Sequence, residues 1–185
     1  MRAAIFLLLS VMVPQVTASD PLWEKLRTEQ NLVVLMRHAQ PAGGHPLTWD
    51  ESGNCNGESM LTAAGKAHAR KIGEEFAKHG LRPTVISSPM CRCLDTARLA
   101  FGDAVITDAA LREIATADAE RANAFERKAQ SLIVTHRGSS PVVFVNHRPN
   151  IDLLSLELIA EGELLVTRAN AKGEVDVLGK ITVQP

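Results

Sequence analysis

The segment from Asn31 to Met36 reads Asn-Leu-Val-Val-Leu-Met and stops at Arg37-His38. Apolar side chains at consecutive rather than alternating positions describe a strand covered on both faces. Such a strand belongs in a layered α/β sheet, and its C-terminal end delivers two polar side chains to the edge where open α/β sheets bind ligands.

The rest of the chain repeats this design. Residues 41–60 form a long polar loop, and Thr62 then caps a helix to about His79 with Leu61, Gly65, Ala69, Ile72 and Phe76 as its buried stripe. His68 and His79 on that helix read as surface or partly packed residues. Gly80 ends it. Thr84 to Ser87 is a second strand. Ser88 as N-cap and Pro89 at the first helical position open a helix to about Ala100. Further elements are a strand at 104–106, a helix over roughly 117–136, a strand at 141–145 and a helix from Pro149-Asn150 through Ile159. Strands near 163–168 and 174–183 form a hairpin around residues 170–173. The expectation is an α/β fold, a mainly parallel sheet with helices on both faces and an antiparallel edge.

Residues 1–18 stand apart. Arg2 precedes an apolar stretch from Ala3 to Val13, and Val16-Thr17-Ala18 is a small-x-small cleavage pattern. This predicts a signal peptide over 1–18, cut after Ala18, and a single domain over 19–185 in the periplasm or outside the cell. No Cys follows the apolar stretch, so no lipid anchor is expected, and no later segment approaches a membrane span. A net charge of −1 gives no bias towards nucleic acid, and a chain without tyrosine is poor in stacking platforms. An exported chain meets oxidising conditions, so Cys55 is expected to pair with Cys91 or Cys93. Cys91-x-Cys93 has no second pair at zinc spacing, so no metal site is expected.

Three segments share one arrangement. The first strand ends in Arg37-His38, the second leads through Ser88-Pro89 to Arg92 in a first helical turn, and the fourth ends in Asn146-His147. Parallel neighbouring strands would gather two arginines and two histidines at one point beside a helix N-terminus. Guanidinium forks and helix N-termini favour an anion with several oxygens, and neutral histidine is a nucleophile near pH 7. The arrangement points to phosphoryl chemistry. Arg92, at a cleft rather than in the core, is expected to matter little for stability.

The residues resemble a known family. Leu35-Met36-Arg37-His38-Ala39 is similar to the Arg-His signature of the histidine phosphatase superfamily, the phosphoglycerate mutase-like fold. Ser87-Ser88-Pro89 with Arg92 and Thr96-Ala97 resembles its second motif. His147 with Asn150-Ile151 resembles its late motif, and Leu61-Thr62 with Gly65 its Leu-Thr-x-x-Gly helix. The likeness runs from about 31 to 183. It implies a metal-independent phosphatase with no cofactor, acting on a small phosphorylated molecule or a phosphoprotein. His38 would become phosphohistidine, with Arg37, Arg92 and His147 holding the phosphoryl oxygens and Gln40 and Asn146 donating further hydrogen bonds.

The resemblance also implies Cys55–Cys91 as the disulfide, and Glu113 in Leu111-Arg112-Glu113 as proton donor to the leaving group. The sequence departs from the family in Ala39, where Gly is common, and in Asn146, where Thr is common. Arg148 follows His147 where the acid branch carries Asp. The alternative function is a phosphate- or phosphosugar-binding module that keeps the pocket without catalysis. Specificity is expected in loops 41–60 and 107–120.

Overall fold

The computed structural model describes residues 20–185, so the export segment expected at 1–18 lies outside the described residues. The elements follow the order α1 (Asp20–Thr28), β1 (Leu32–Arg37), β2 (Pro41–Ala42), β3 (Met60–Leu61), α2 (Ala63–Lys78), β4 (Thr84–Ser87), α3 (Cys91–Phe101) and β5 (Val105–Thr107). A 3₁₀ turn at Ala109–Leu111 follows, then α4 (Ala119–His136), β6 (Val142–Asn146), α5 (Arg148–Ser155), β7 (Leu164–Ala169) and β8 (Val175–Ile181).

Six strands form one sheet in the order β5-β4-β6-β1-β7-β8. The first four run parallel. Strands β7 and β8 form the antiparallel edge expected from the closing hairpin. Alternate residues of β1 face opposite layers. Val34 and Met36 pack with Ile72 and Phe76 of α2 and Ala97 of α3. Val33 and Leu35 pack with Phe125, Ala129 and Ile133 of α4 and Ile151 of α5. Burial on both faces is the reason the strand reads as an unbroken apolar run.

Several boundaries differ from the sequence reading, each for a local reason. Helix α1 was not anticipated. Its nine residues are anchored by Trp23, which packs edge-on to Phe76 at 5.0 Å and stacks on His79 at 4.6 Å. Helix α5 stops at Ser155, short of Ile159, because Leu156 takes a left-handed conformation with φ 58°. Helix α3 has its N-cap at Met90 rather than Ser88, whose hydroxyl accepts from Met90 N at 3.3 Å and also faces His147. His68 is buried rather than superficial, with Nε2 2.7 Å from the carbonyl oxygen of Val183. Among the described residues, no helix is long and apolar enough to cross a membrane.

Candidate active site

Sheet hydrogen bonding holds the polar strand ends together. Strands β4, β6 and β1 are parallel neighbours, with Arg37 opposite Asn146 and Ser87 opposite Val145. The ladder continues one residue beyond each strand: His38 N donates to Asn146 O and Ser88 N to Val145 O, both at 3.0 Å. Adjacent strand-end segments are therefore one ladder spacing apart, roughly 4.8 Å, with the end of β6 between the other two.

His38 is 5% exposed. Its Nδ1 lies 2.9 Å from the carbonyl oxygen of Ala39, which can only accept, so Nδ1 carries the proton. The lone pair is then on Nε2, and Arg92 Nε–H donates to it at 3.3 Å. Burial pushes the His38 pKa down to about 3, and the Arg92 and Arg37 charges act in the same direction. The imidazole is thus neutral, with its basic nitrogen turned towards a cation.

Arg92 lies at the centre and is 2% exposed. Its Nη2 donates to Glu113 Oε2, to Pro46 O at 3.0 Å and to His147 Nδ1 at 2.9 Å. Because guanidinium only donates, His147 Nδ1 accepts and its Nε2 proton faces Ser88 Oγ at 2.8 Å. The His38 and His147 rings stand edge to face, 5.5 Å apart. His147 is held well below the usual histidine pKa, first by burial and then by Arg92. The carboxyl of Glu113 is shifted upwards because burial outweighs the opposing charges of Arg92, Arg37 and Arg121. The buried Cys93 thiol lies 3.5 Å from His147 Nε2, and burial pushes its pKa up to about 12.

Arg37 projects from the same edge. It donates to Glu161 Oε1 at 3.1 Å and to Ile159 O at 3.4 Å. Gly162 N bonds the carbonyls of both Arg37 and His38, which pins the 156–163 loop to the end of β1. Asn146 is fully buried, and its Oδ1 accepts from His147 N. Arg37 Nε, Arg92 Nη1 and Asn146 Nδ2 are buried donors with no protein partner, a capacity suited to an oxyanion. Gln40 is not gathered with this group. It is exposed, and its side chain accepts from Thr62 Oγ1 at 3.0 Å at the start of α2. There Gly65 approaches so closely that a Cβ would sit 2.3 Å from Gln40 O.

The long loop folds over the site. A disulfide joins Cys55 to Cys91, with Cα atoms 5.9 Å apart across a sequence separation of 36. Glu58, which the sequence reading missed, is buried, and its Oε2 accepts from Cys91 N at 2.8 Å. It caps α3, which has no side-chain cap of its own. A carboxylate three residues after a loop cysteine was the available signal, but its helix begins more than thirty residues later.

The bridge constrains the unfolded chain by about 3–4 kcal/mol on the chain-entropy estimate. Reductant should therefore lower the Tm of the wild type and of Cys93→Ser by roughly 10 °C, and leave Cys55→Ser unmoved. A thermal melt with and without reductant decides this, and equal sensitivity in all three proteins would contradict the pairing.

A family model described as "Histidine phosphatase superfamily (branch 1)" matches residues 33–141. SixA from Agrobacterium tumefaciens superposes with a TM-score of 0.56 at 22% identity, over 83% of this chain and 99% of that chain. The protein histidine phosphatase SixA complexed with tungstate gives 0.56 at 15% identity, over 82% and 96%. Phosphoserine phosphatase from Entamoeba histolytica, in complex with 3-phosphoglyceric acid, gives 0.54 at 16% identity, over 83% and 98%. At these identities the likeness is one of fold. No curated protein matches the sequence significantly.

Proposed function

Because the chain belongs to the histidine phosphatase superfamily, branch 1, we propose that it is a metal-independent phosphatase cleaving phosphate monoesters through a phosphohistidine on His38. The observation that carries the reading is the orientation of His38: Nδ1–H is fixed on Ala39 O, and Nε2 is unprotonated beside Arg92. Nε2 attacks phosphorus, the ester P–O bond breaks, and the leaving alkoxide takes a proton from Glu113. The water oxygen then attacks phosphorus as Glu113 takes back a proton from it, the P–N bond breaks with its electron pair returning to Nε2, and inorganic phosphate leaves. Arg37, Arg92 and His147 bear the charge that builds on the phosphoryl oxygens.

Substrate itself prepares the acid. Glu113 is paired with Arg92. A phosphate dianion on Arg92 takes away that cation and sets negative charge beside a carboxyl already shifted upwards by burial, so Glu113 binds a proton. Activity on alkyl esters, whose leaving groups need that proton, should fall as pH rises through the raised Glu113 pKa. Glu113→Gln should lose about 10²-fold or more on an alkyl phosphate, but less than about tenfold on 4-nitrophenyl phosphate. Equal losses on the two esters would remove Glu113 from the role of donor.

The disulfide and the export pattern of residues 1–18 support a periplasmic or secreted location. A panel of phosphate esters, assayed on the purified protein with and without chelator, tests the reading. Turnover that chelator leaves unchanged is expected. Phosphate binding without turnover of any ester would favour the binding-module alternative.

A further inference from the structure

We infer that a second oxyanion subsite, formed by Arg112, Arg121 and Trp49, adjoins the phosphate centre and selects esters whose alcohol carries a second phosphate or carboxylate. The inference rests on the phosphatase reading and extends it to substrate class. A cavity of about 190 Å³ is lined by Trp49, Met90, Arg112, Glu113, Thr116 and Arg121, with Leu47 at its side. Glu113 is the wall it shares with the phosphate site. The carboxylate takes the guanidinium of Arg92, and the backbone carbonyl takes Nη2 of Arg121. A leaving group protonated by Glu113 therefore extends towards this cavity.

The cavity holds two guanidinium groups against the one carboxylate of Glu113, which is already engaged by Arg92. Among the described residues, neither Arg112 nor Arg121 forms an ion pair with a carboxylate. Asp118 Oδ1 is engaged as the cap of α4, accepting from Arg121 N at 2.9 Å. The Arg112 guanidinium stacks 4.3 Å above the Trp49 ring, which fixes its plane and leaves its edge as a fork of donors. Among the described residues, Arg112 Nε is buried with no hydrogen-bond partner. Burial and the neighbouring Arg112 charge act against the charge on Arg121 and outweigh the favourable Asp118 and Glu113 carboxylates, and an anion between the two arginines would offset them further. Loops 41–60 and 107–120, expected from sequence to set specificity, supply most of the wall.

Calorimetry on the His38→Ala protein separates binding from chemistry. The ligands are 3-hydroxypropyl phosphate, propane-1,3-diol bisphosphate and 4-phosphooxybutanoate, the last two distinguishing a second phosphate from a carboxylate. At least one of the two ligands with a second anionic group should bind about tenfold tighter than the hydroxyl compound, beyond the statistical factor of two for two identical ends. Arg112→Gln should bring that preference down to the statistical factor, and Arg121→Gln should reduce it. Equal affinities across the three ligands, or a preference surviving both substitutions, would overturn the subsite. Turnover of 3-hydroxypropyl phosphate by the wild type reports the phosphatase reading separately. Its absence alongside a retained preference for the second anionic group would sink that reading and leave the subsite standing.

Discussion

His38→Ala should abolish phosphate release, with kcat reduced by roughly 10⁴-fold or more, the scale on which losing a covalent nucleophile acts. The side chain donates to the adjacent Ala39 carbonyl and accepts from Arg92 Nε–H, and neither bond ties together distant parts of the core. Its removal should leave folding intact, so the variant should keep a cooperative melt and still bind orthophosphate through Arg37 and Arg92. Steady-state assays on an aryl phosphate, where proton donation matters least, give the cleanest comparison. A variant that keeps wild-type turnover would rule out His38 as nucleophile.

Arg92→Ala should cost about 10²–10³ in rate, the usual loss for one preorganised transition-state donor. The structure corrects the expectation that stability would be little affected. Arg92 is buried and holds Glu113, His147 and Pro46 together. Truncation leaves the Glu113 carboxylate in a mostly buried site without its cation, a loss on the order of 3 kcal/mol for a broken buried pair. Pairing the substitution with Glu113→Gln removes the stranded charge. Assayed on 4-nitrophenyl phosphate, where Glu113→Gln alone costs less than about tenfold, the double variant should recover most of the melting temperature while its rate stays about 10²–10³ low. Recovery of rate together with stability would mean that Arg92 is only a structural residue.

What could be read from the sequence was whatever local pattern determines. Buried parallel strands announce themselves as unbroken apolar runs, and each ended at the residues later found side by side: His38, Ser88 and His147. The cap at Thr62 and the stripe through Phe76 were legible because helix geometry is periodic. Contacts across long separations were not. Glu58 capping α3, Glu161 pairing with Arg37, and Trp49 beneath Arg112 each join a loop residue to an element far along the chain. Ser88 shows how a correct preference is overridden. Its hydroxyl accepts from Met90 N at 3.3 Å as a cap would, but it also faces His147 at 2.8 Å and the helix itself begins at the disulfide-bonded Cys91. Gln40, adjacent in sequence to the site, is drawn instead to the cap of α2 by Thr62.

The central claim is a covalent phosphoryl–His38 intermediate. The most direct measurement is rapid alkaline quench of the wild-type protein during turnover of an aryl phosphate, followed by peptide mapping by mass spectrometry. The account predicts one phosphoryl group on the peptide containing His38, stable in alkali, lost in acid, and absent from His38→Ala. A stoichiometric burst of the leaving group with phosphate on another residue, or turnover at full rate with no trapped phosphoenzyme under any quench, would contradict it.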